Sequence, residues 1–278
     1  MLKRILLALD RSASGAHAQR LAIDLATEMK AQISGVGILD IPWITAAQPE
    51  PLGGTAYKLY RDQELINQTH ERLGTLLETF EQACQQHQVE GLALEAKGLP
   101  VLELEQLSQR HDIIVMGKKP EFHFELEAES NIVVRHIARD NPRPLLIAPA
   151  NDNGQGEGVL IAYDGSLQAA RALHIFLLLG LAGKKPVHII SIDRSSADAT
   201  ARAHMAQQMC ETHGIQATAQ GLDAVSNPAH AILAVAHERK AKMIVLGAFG
   251  RRGLRDLFFG SVASHLLEEA DIPLFVHH

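Results

Sequence analysis

The feature of this sequence that most constrains its fold is an internal repeat. The segment RILLALDRSASGAHAQRLAIDLA near the start of the chain resembles GVLIAYDGSLQAARALHIFLLL in the second half, and this match aligns Asp10 with Asp164. Further matches in the same order align Asp40 with Asp193, Cys84 with Cys210, Gly117 with Gly247 and Asp140 with Asp271. Because the order never changes, the sequence predicts two copies of one fold.

The repeat divides the 278 residues into two predicted domains, 1–150 and 157–278. A polar, glycine-rich segment, APANDNGQGEG, lies between the two copies and is typical of a linker. The first copy carries an insert near 41–66, which is rich in turn residues and holds the only tryptophan, Trp43. We therefore expect two domains of ordinary size, the first of them with an insertion.

Short apolar runs alternate with helical patterns in each copy, and this alternation indicates the fold class. Runs that are apolar on both faces and are interleaved with helices are typical of a parallel sheet covered on both sides. The second copy has predicted strands near 159–163, 187–192, 215–220, 243–246 and 274–277, with helices near 166–181, 195–213, 228–239 and 261–270. The prediction is an α/β protein of two tandem doubly wound domains, each a five-stranded mainly parallel sheet with helices on both faces.

The composition narrows the classes of function. A formal net charge of −6 at pH 7 argues against a nucleic-acid partner, which would normally meet a basic face. No apolar run reaches the ~18 residues needed to cross a bilayer, so we expect no membrane partner. Two cysteines do not make a disulfide framework, so we expect a cytoplasmic location and interpret Cys84 and Cys210 as small buried residues.

The loop after the predicted strand 243–246 carries the residues that point to a ligand. It contains Gly247, Gly250, Gly253, Gly260, Arg251, Arg252 and Arg255, and it ends at Ser261. Backbone N–H groups in the first turn of the helix that follows carry the positive end of the helix dipole and can bind an anion. Glycine lets a phosphate or a sugar approach the backbone closely. The alternative interpretation is a long turn with a serine cap.

The spacing of these glycines resembles a known signature. Gly247-x-x-Gly250, nine further residues and then Gly260-Ser261 is similar to the nucleotide-binding motif of the universal stress protein family. Asp164 after the first strand, the NPAHAILAVA segment and the ADIPLFV ending also lie where that family has them. The whole chain resembles a tandem universal stress protein, which implies an adenine nucleotide alpha hydrolase-like fold.

The resemblance implies ATP as the ligand, with Mg²⁺ as a candidate companion ion. It places the adenosine, the ribose and the phosphates along one set of residues: Asp164, the backbone around Ile192, Gly247, Gly250, Gly260, Ser261 and Val262. No Gly-Lys-Ser/Thr follows the glycines, so the loop is not a P-loop. The sequence shows no catalytic base and no metal-binding motif, so we expect at most slow ATP hydrolysis or self-phosphorylation.

The equivalent loop of the first copy, GKKPEFHFELEAESN, departs from the signature. Pro120 stands where Gly250 stands, and Glu129 or Ser130 stands where Gly260 stands. Four acidic side chains would repel a triphosphate: Glu121, Glu125, Glu127 and Glu129. We therefore expect an ATP-binding stress-response protein that holds its nucleotide in the C-terminal domain.

Two alternatives stay open at this point. One is a tandem stress protein that binds another small ligand in a cavity of the N-terminal domain, with the insert near 41–66 as a lid. The other is a slow ATP hydrolase.

Domains of the universal stress protein family commonly pair through their last strands, and here both strands lie in one chain. PLLIAPA and PLFVHH are short and apolar at alternate positions, so each would be an exposed sheet edge if left alone. We predict that Leu145–Ala148 and Leu274–Val276 pair antiparallel across a pseudo-two-fold axis. The chain would then be an intramolecular pseudo-dimer, and a homodimer of whole chains is left open.

Substitutions in the glycine loop test where the phosphate is held. Gly260→Glu places a bulky anion at the helix start, and we expect it to abolish ATP binding. Ser261→Ala removes one hydrogen bond to a charged group, worth ~1.5–3 kcal/mol, or about one to two decades in affinity. Arg251→Ala should weaken binding least and with strong salt dependence. Calorimetric titration measures this order, and a larger loss in Arg251→Ala than in Gly260→Glu contradicts it.

Overall fold

The computed structural model of the protein describes residues 1–46, 55–122, 131–151, 156–248 and 261–278. The N-terminal half contains β1 (Arg4–Ala8), α1 (Ala13–Met29), β2 (Gln32–Leu39), α2 (Ile41–Ile44), α3 (Thr55–Gln86), β3 (Gly91–Lys97), α4 (Pro100–Ser108), β4 (Ile113–Gly117), α5 (Ile132–Asp140) and β5 (Leu145–Ala148). The C-terminal half contains β6 (Gly158–Ala162), α6 (Leu167–Leu179), β7 (Val187–Asp193), α7 (Ser196–Thr212), β8 (Ala217–Asp223), α8 (Pro228–Glu238), β9 (Ala241–Gly247), α9 (Ser261–Glu269) and β10 (Leu274–His277). The predicted strands and helices of the second copy are all present.

The strands form one sheet in the order β3-β2-β1-β4-β5-β10-β9-β6-β7-β8. Within each half all neighbouring strands are parallel, and both halves follow the same order outward from their last strand. The α/β fold predicted from the alternating pattern is confirmed. The boundaries of two separate domains stay a prediction, because a single sheet runs through both halves.

The last strands of the two halves join the sheet. β5 and β10 are antiparallel, with Leu274 opposite Ile147 and Phe275 opposite Leu146. The predicted pairing is therefore confirmed. Because this is the antiparallel pair of the sheet, the strands of one half run opposite to those of the other. Their carboxyl ends consequently lie at opposite edges of the sheet.

Helices cover both faces of the sheet. On one face α1, α3, α6 and α7 pack over the strands, and Phe80 and Phe176 are fully buried there. On the other face α4, α5, α8 and α9 pack over the strands, with Leu104 and Leu266 fully buried. This double cover explains why the strands read as continuous apolar runs. Within the described ranges, no helix combines the length and the apolar character that a bilayer crossing requires.

The two cysteines lie inside the first of these layers. Cys84 and Cys210 are free and buried, and both belong to the apolar core under the helices. Burial raises the pKa of each thiol to about 11. At neutral pH both are therefore protonated and unreactive. The interpretation of these residues as small buried core residues is confirmed.

The extra residues near 41–66 contribute helix. Within the described part, this stretch supplies α2 and the first turns of α3. α3 is 32 residues long, whereas α7, which occupies the corresponding place in the other half, has 17. Ile44 packs with Leu39 and Leu73 in a small core of its own. The turn-rich composition of this stretch did not predict the helix, and residues 47–54 lie outside the described residues.

The register of β2 corrects one of the sequence matches. In the N-terminal half Ala8 of β1 lies opposite Val36 of β2, and in the C-terminal half the equivalent Ala162 of β6 lies opposite Ile190 of β7. Counting from these pairs puts Leu39, and not Asp40, at the level of Asp193. Asp40 lies one residue later and caps α2, because its carboxylate accepts the backbone N–H of Trp43 at 3.0 Å. The alignment of Asp40 with Asp193 is therefore displaced by one residue.

Phe275 at the centre of the seam yields a prediction on stability. Its ring is fully buried and meets the ring of Phe176 edge to face, with centroids 5.5 Å apart. Phe275→Ala should lower the free energy of unfolding by roughly 3–5 kcal/mol, because it leaves a cavity in a packed core. Urea unfolding measures the change, with the exposed Tyr57→Ala as the control. A loss below ~1 kcal/mol for Phe275→Ala would contradict this packing.

Candidate functional site

A cavity of about 440 Å³ lies at the carboxyl edge of the C-terminal half. β6 has β7 on one side and β9 on the other, so the strand order reverses here, as at the ligand sites of open α/β sheets. The described residues that line the cavity are Ala162, Tyr163, Asp164, Ala169, Ile190, Ile192, Asp193, Arg194, Ala224, Pro228, Ile232, Leu246, Gly247, Val262, Ala263 and Leu266. Its volume is that of a small-molecule site.

The structure brings four of the predicted site residues to this cavity. Asp164 lies in the turn that follows β6, and Ile192 lies near the end of β7. Gly247 ends β9, and Val262 lies in the first turn of α9. Four separate elements therefore converge on one space. The role of these residues in binding stays a prediction.

The remaining predicted residues lie at or beyond the end of the description. α9 begins at Ser261, as the sequence predicted, but the side chain of Ser261 is outside the described atoms. Gly250 and Gly260 lie outside the described residues, together with Arg251, Arg252 and Arg255. What the structure establishes for this loop is where it leaves the sheet, at the end of β9, and where α9 begins.

The turn after β6 fixes Asp164 at the mouth of the cavity. The Asp164 side chain is exposed, and its Oδ1 accepts the backbone N–H of Ser166 at 2.8 Å. Ser166 in turn caps α6, because its hydroxyl accepts the N–H of Ala169 at 3.1 Å. Gly165 between them has a φ of 75°, a left-handed conformation that favours glycine. The carboxylate is therefore held by local hydrogen bonding and remains open to a ligand.

Gly247 has a structural reason to be glycine, in addition to the predicted one of ligand access. A Cβ at this position would lie 2.4 Å from the backbone nitrogen of Ala169, at the start of α6. Gly117 is in the same situation in the other half, where a Cβ would lie 2.8 Å from the backbone nitrogen of Gly15. Since both halves require it, close packing of strand end against helix start is sufficient to explain this glycine.

One wall of the cavity is apolar. Ile190, Ile232 and Leu246 are buried in the core below it, and Ile192 is partly exposed to it. A flat ring could lie against this wall. Sequence reasoning missed Ile232, which is on the first turns of α8. The signal was available, because the NPAHAILAVA segment was already placed at a helix start beside the site.

The far end of the cavity, at the end of β7, is charged. Asp193 forms an ion pair with Arg202 of α7, and its Oδ1 also accepts the backbone N–H of Ser195 at 3.4 Å. The Arg202 guanidinium holds the pKa of the Asp193 carboxyl below its ordinary value. Arg194 beside it is exposed. The cavity therefore has α9 at one end and a fixed ion pair at the other.

Asp10 takes the place of Asp164 in the N-terminal half, but its surroundings are different. Only 6% of Asp10 is exposed. Its Oδ1 accepts the backbone N–H groups of Ser12 at 2.7 Å and of Glu121 at 3.3 Å, whereas Oδ2 has no partner among the described residues. Burial raises the pKa of Asp10 to about 6, although the hydrogen bonds from Ser12 and Glu121 oppose the shift.

The acidic loop predicted for the first copy is only partly described. Pro120 and Glu121 belong to the described residues, and residues 123–130, with Glu125, Glu127 and Glu129, lie outside them. The Glu121 carboxylate is near enough to Asp10 to raise its pKa further. The predicted negative charge at this edge is therefore present at Glu121.

The fold and the cavity together define a class of protein: an α/β chain with two doubly wound halves and a small-molecule cavity at the carboxyl edge of the second. Comparison with known families identifies it further. The model of the universal stress protein family matches residues 157–278. The C-terminal half of the chain therefore matches the universal stress protein family, and the resemblance recognised from the sequence is confirmed.

Relatives extend the similarity over the whole chain. A universal stress protein from Synechocystis sp. is 25% identical over 98% of this chain and 99% of its own length. In the solved structure of a universal stress protein from Archaeoglobus fulgidus, the alignment covers 99% of this chain and 97% of that one, with a TM-score of 0.71 at 19% identity. A functionally unknown protein from Pseudomonas aeruginosa aligns over 99% and 92%, with a TM-score of 0.60 at 16% identity. Both structures share the fold.

The shifted pKa of Asp10 predicts a pH dependence of stability. Its folded-state value of about 6 lies above the ordinary 3.8, so folding disfavours the ionised form. The part of the folding stability that depends on protonated Asp10 is fully present below the unfolded pKa. It is lost as pH rises through the folded pKa, which lowers the free energy of unfolding by about 3 kcal/mol. Asp10→Asn removes this titration. Relative to wild type, its free energy of unfolding should therefore rise by about 2–3 kcal/mol from acid to neutral pH.

Urea unfolding of the wild type and Asp10→Asn at a series of pH values from below 3.8 to above 6 measures this difference. Both proteins share every other titratable group, so their other pH effects cancel in the comparison. Parallel stability curves for the two proteins would show that burial does not shift the Asp10 carboxyl.

Proposed function

We propose that the C-terminal half binds ATP and that the chain is an ATP-binding stress-response protein without efficient catalysis. The observation that carries the proposal is the cavity of about 440 Å³ that joins Asp164, Ile192 and Gly247 to the start of α9. The family match of the same half supports it, because the glycine signature lies in that half.

The geometry of the cavity suits the two unlike ends of a nucleotide. The apolar wall formed by Ile190, Ile192 and Ile232 can receive a flat base, and Asp164 offers an acceptor to donors of the adenosine. The backbone N–H groups in the first turn of α9 have no partner within the helix, and they present the positive end of its dipole to phosphate. The base would then lie toward β7 and the phosphates toward β9 and α9.

Mg²⁺ fits the same arrangement as a companion of the phosphates. Magnesium prefers hard oxygen ligands and usually combines one or two carboxylates with phosphate oxygens and water. Asp164 supplies an exposed carboxylate at the mouth of the cavity. We propose this residue as the protein ligand, and the charge of the ion would lower the repulsion between Asp164 and the phosphates.

The way the carboxylates are engaged supports the proposal of binding without efficient turnover. Asp164 accepts the Ser166 N–H, and Asp193 is held by Arg202 and the Ser195 N–H. A general base must be free to take a proton from the attacking water. Carboxylates that are held in helix-capping turns and ion pairs are better suited to accept hydrogen bonds from a bound ligand than to act as a general base. We therefore propose at most slow hydrolysis or self-phosphorylation.

Filling the cavity tests the proposal. Ala162 lines it at the end of β6 and is partly exposed, so a larger side chain can extend into the space. Ala162→Phe should weaken ATP binding by at least ~100-fold, whereas the matched control Ala162→Ser should bind like the wild type. Calorimetry with ATP and Mg²⁺ measures both, and urea unfolding shows that both variants are folded.

The same titration gives the number of sites. We expect one nucleotide per chain in the wild type, because the N-terminal edge holds Glu121 and buried Asp10 where the C-terminal edge is open. Two equivalent sites per chain would refute this asymmetry. Undiminished binding by folded Ala162→Phe would place the nucleotide elsewhere.

A further inference from the structure

A second cavity, of about 280 Å³, lies where the two halves of the chain meet. The N-terminal half lines this seam cavity with residues that follow β4 and β5, among them Lys118 and Lys119. The C-terminal half lines it with the end of α9 and the turn before β10, which include Ala270 and Asp271. Among the described residues, the seam cavity shares no lining residue with the cavity of about 440 Å³. It is therefore separate from the proposed nucleotide site, and it is formed by the pairing of the two halves.

Lys118 differs from the other half-buried lysines in how its charge is balanced. Lys58 and Lys185 are half-buried as well, and each forms an ion pair with a carboxylate. The Lys118 Nζ instead donates to the main-chain carbonyl of Ala270 at 3.0 Å. Within the described part of the chain, no carboxylate is near enough to form an ion pair with Lys118. A neutral carbonyl leaves the ammonium charge uncompensated, which is unfavourable for a partly buried group.

The surroundings of Lys118 favour its neutral form. Burial lowers the pKa of the Lys118 ammonium, and the neighbouring charge of Lys119 lowers it further. The carboxylates of Asp271, Glu268 and Glu269 oppose this shift without reversing it. At a given pH, more of this side chain is therefore the free amine, whose lone pair attacks electrophiles.

An alanine fills the equivalent place in the C-terminal half. Lys118 and Ala248 each follow the glycine that ends a strand, β4 or β9. The Lys118 N–H donates to the carbonyl of Ala148, and the Ala248 N–H donates to the carbonyl of His277, both at 2.8 Å. Ala248 is fully buried. Since a methyl group is sufficient for packing at this place, the fold does not require the Lys118 amine.

We propose that the seam cavity binds a small oxo acid, a compound with a carbonyl group beside a carboxylate, and that the Lys118 amine condenses with the carbonyl carbon. The Nζ lone pair forms the new N–C bond, and the C=O bond breaks. The oxygen leaves as water with two protons of the original ammonium, so the positive charge stays on the nitrogen. The Lys119 ammonium holds the carboxylate of the ligand.

An oxo acid fits the two signs of charge in the seam cavity. The condensed product has a positive nitrogen, which Asp271 and the Ala270 carbonyl favour, and a negative carboxylate. Lys119 is exposed and has no ion-pair partner among the described residues, so it can donate to that carboxylate. A ligand of higher negative charge would be repelled by the acidic end of α9. The volume of about 280 Å³ suits a ligand of a few heavy atoms.

Reductive trapping with glyoxylate, the smallest oxo acid, tests the proposal. Cyanoborohydride converts the imine of glyoxylate with lysine into a stable carboxymethyl group, and peptide mass spectrometry locates the modified residue. At neutral pH, Lys118 should be modified at least ~10-fold faster than Lys242, an exposed lysine of β9, because the cavity holds the reactants together. Equal rates at the two lysines of the wild type overturn the proposal, since they indicate random labelling of amines.

Lys118→Ala is the matched variant, because the other half has alanine at this place. It should lose the fast modification, while Lys242 reacts as it does in the wild type. Urea unfolding shows whether the variant is folded, and the comparison of the two lysines in the wild type stands without it. Fast modification that persists in folded Lys118→Ala would assign the reactive amine to another residue and overturn the proposal.

A second substitution tests the ligand class through Lys119. Lys119→Gln should slow the modification of Lys118 by glyoxylate ~10-fold more than its modification by acetaldehyde, which has no carboxylate. Equal slowing with both aldehydes would show that Lys119 acts only on the pKa of the amine, and the oxo acid would be the wrong ligand class. The result is independent of ATP binding, because the two cavities have different lining residues.

Discussion

The antiparallel pairing of β5 with β10 is the contact on which the rest of the structure depends. Each strand is the last of its half, and unpaired it would present a row of main-chain groups to solvent. The pairing satisfies these groups and buries Leu146 and Phe275 in the same core. It also reverses the strand direction between the halves. The two carboxyl edges therefore lie on opposite sides of the sheet, and each is built from the residues of its own half.

The comparison of the two edges shows how one scaffold can have two local outcomes. Asp164 is exposed, and one of its oxygens accepts a backbone hydrogen bond from its own turn. Water solvates the rest of the carboxylate. Asp10 sits in the same turn but is covered, and the desolvation raises its pKa. Phe122, which follows Glu121 in the chain, is buried in the same apolar cluster as Ala8.

Much of this fold could be predicted from the sequence, because its apolar residues recur with the periods of strands and helices and because its segments repeat in order. Apolar runs such as MIVL gave strand β9, and the order of repeated segments gave the two similar halves. The register of β2 could not be found this way, since both copies end the strand with an apolar residue and an aspartate. Only the pairing of Ala8 with Val36 reveals the shift of one residue.

The candidate site was predictable where it depends on strand ends and helix starts, and unpredictable where it depends on loops. Asp164, Gly247 and Val262 sit at such ends, and they meet at the cavity. Phe122 follows a strand in a segment without periodicity, so no pattern indicated that its ring is buried. The long helix α3 was hidden for a similar reason, because prolines and glycines just before Thr55 dominated the composition.

Carrying both halves in one chain has a consequence for how unequal they can become. Strands on separate molecules meet only at the concentration at which the protein is made, whereas tethered segments see each other at an effective concentration of about millimolar. β10 therefore always finds β5, and an intact half is always matched with its divergent counterpart rather than with a copy of itself. Selection on the pairing of the two halves is thereby separated from selection on the residues at the two carboxyl edges. One half is free to change its chemistry as long as it keeps Leu145–Ala148.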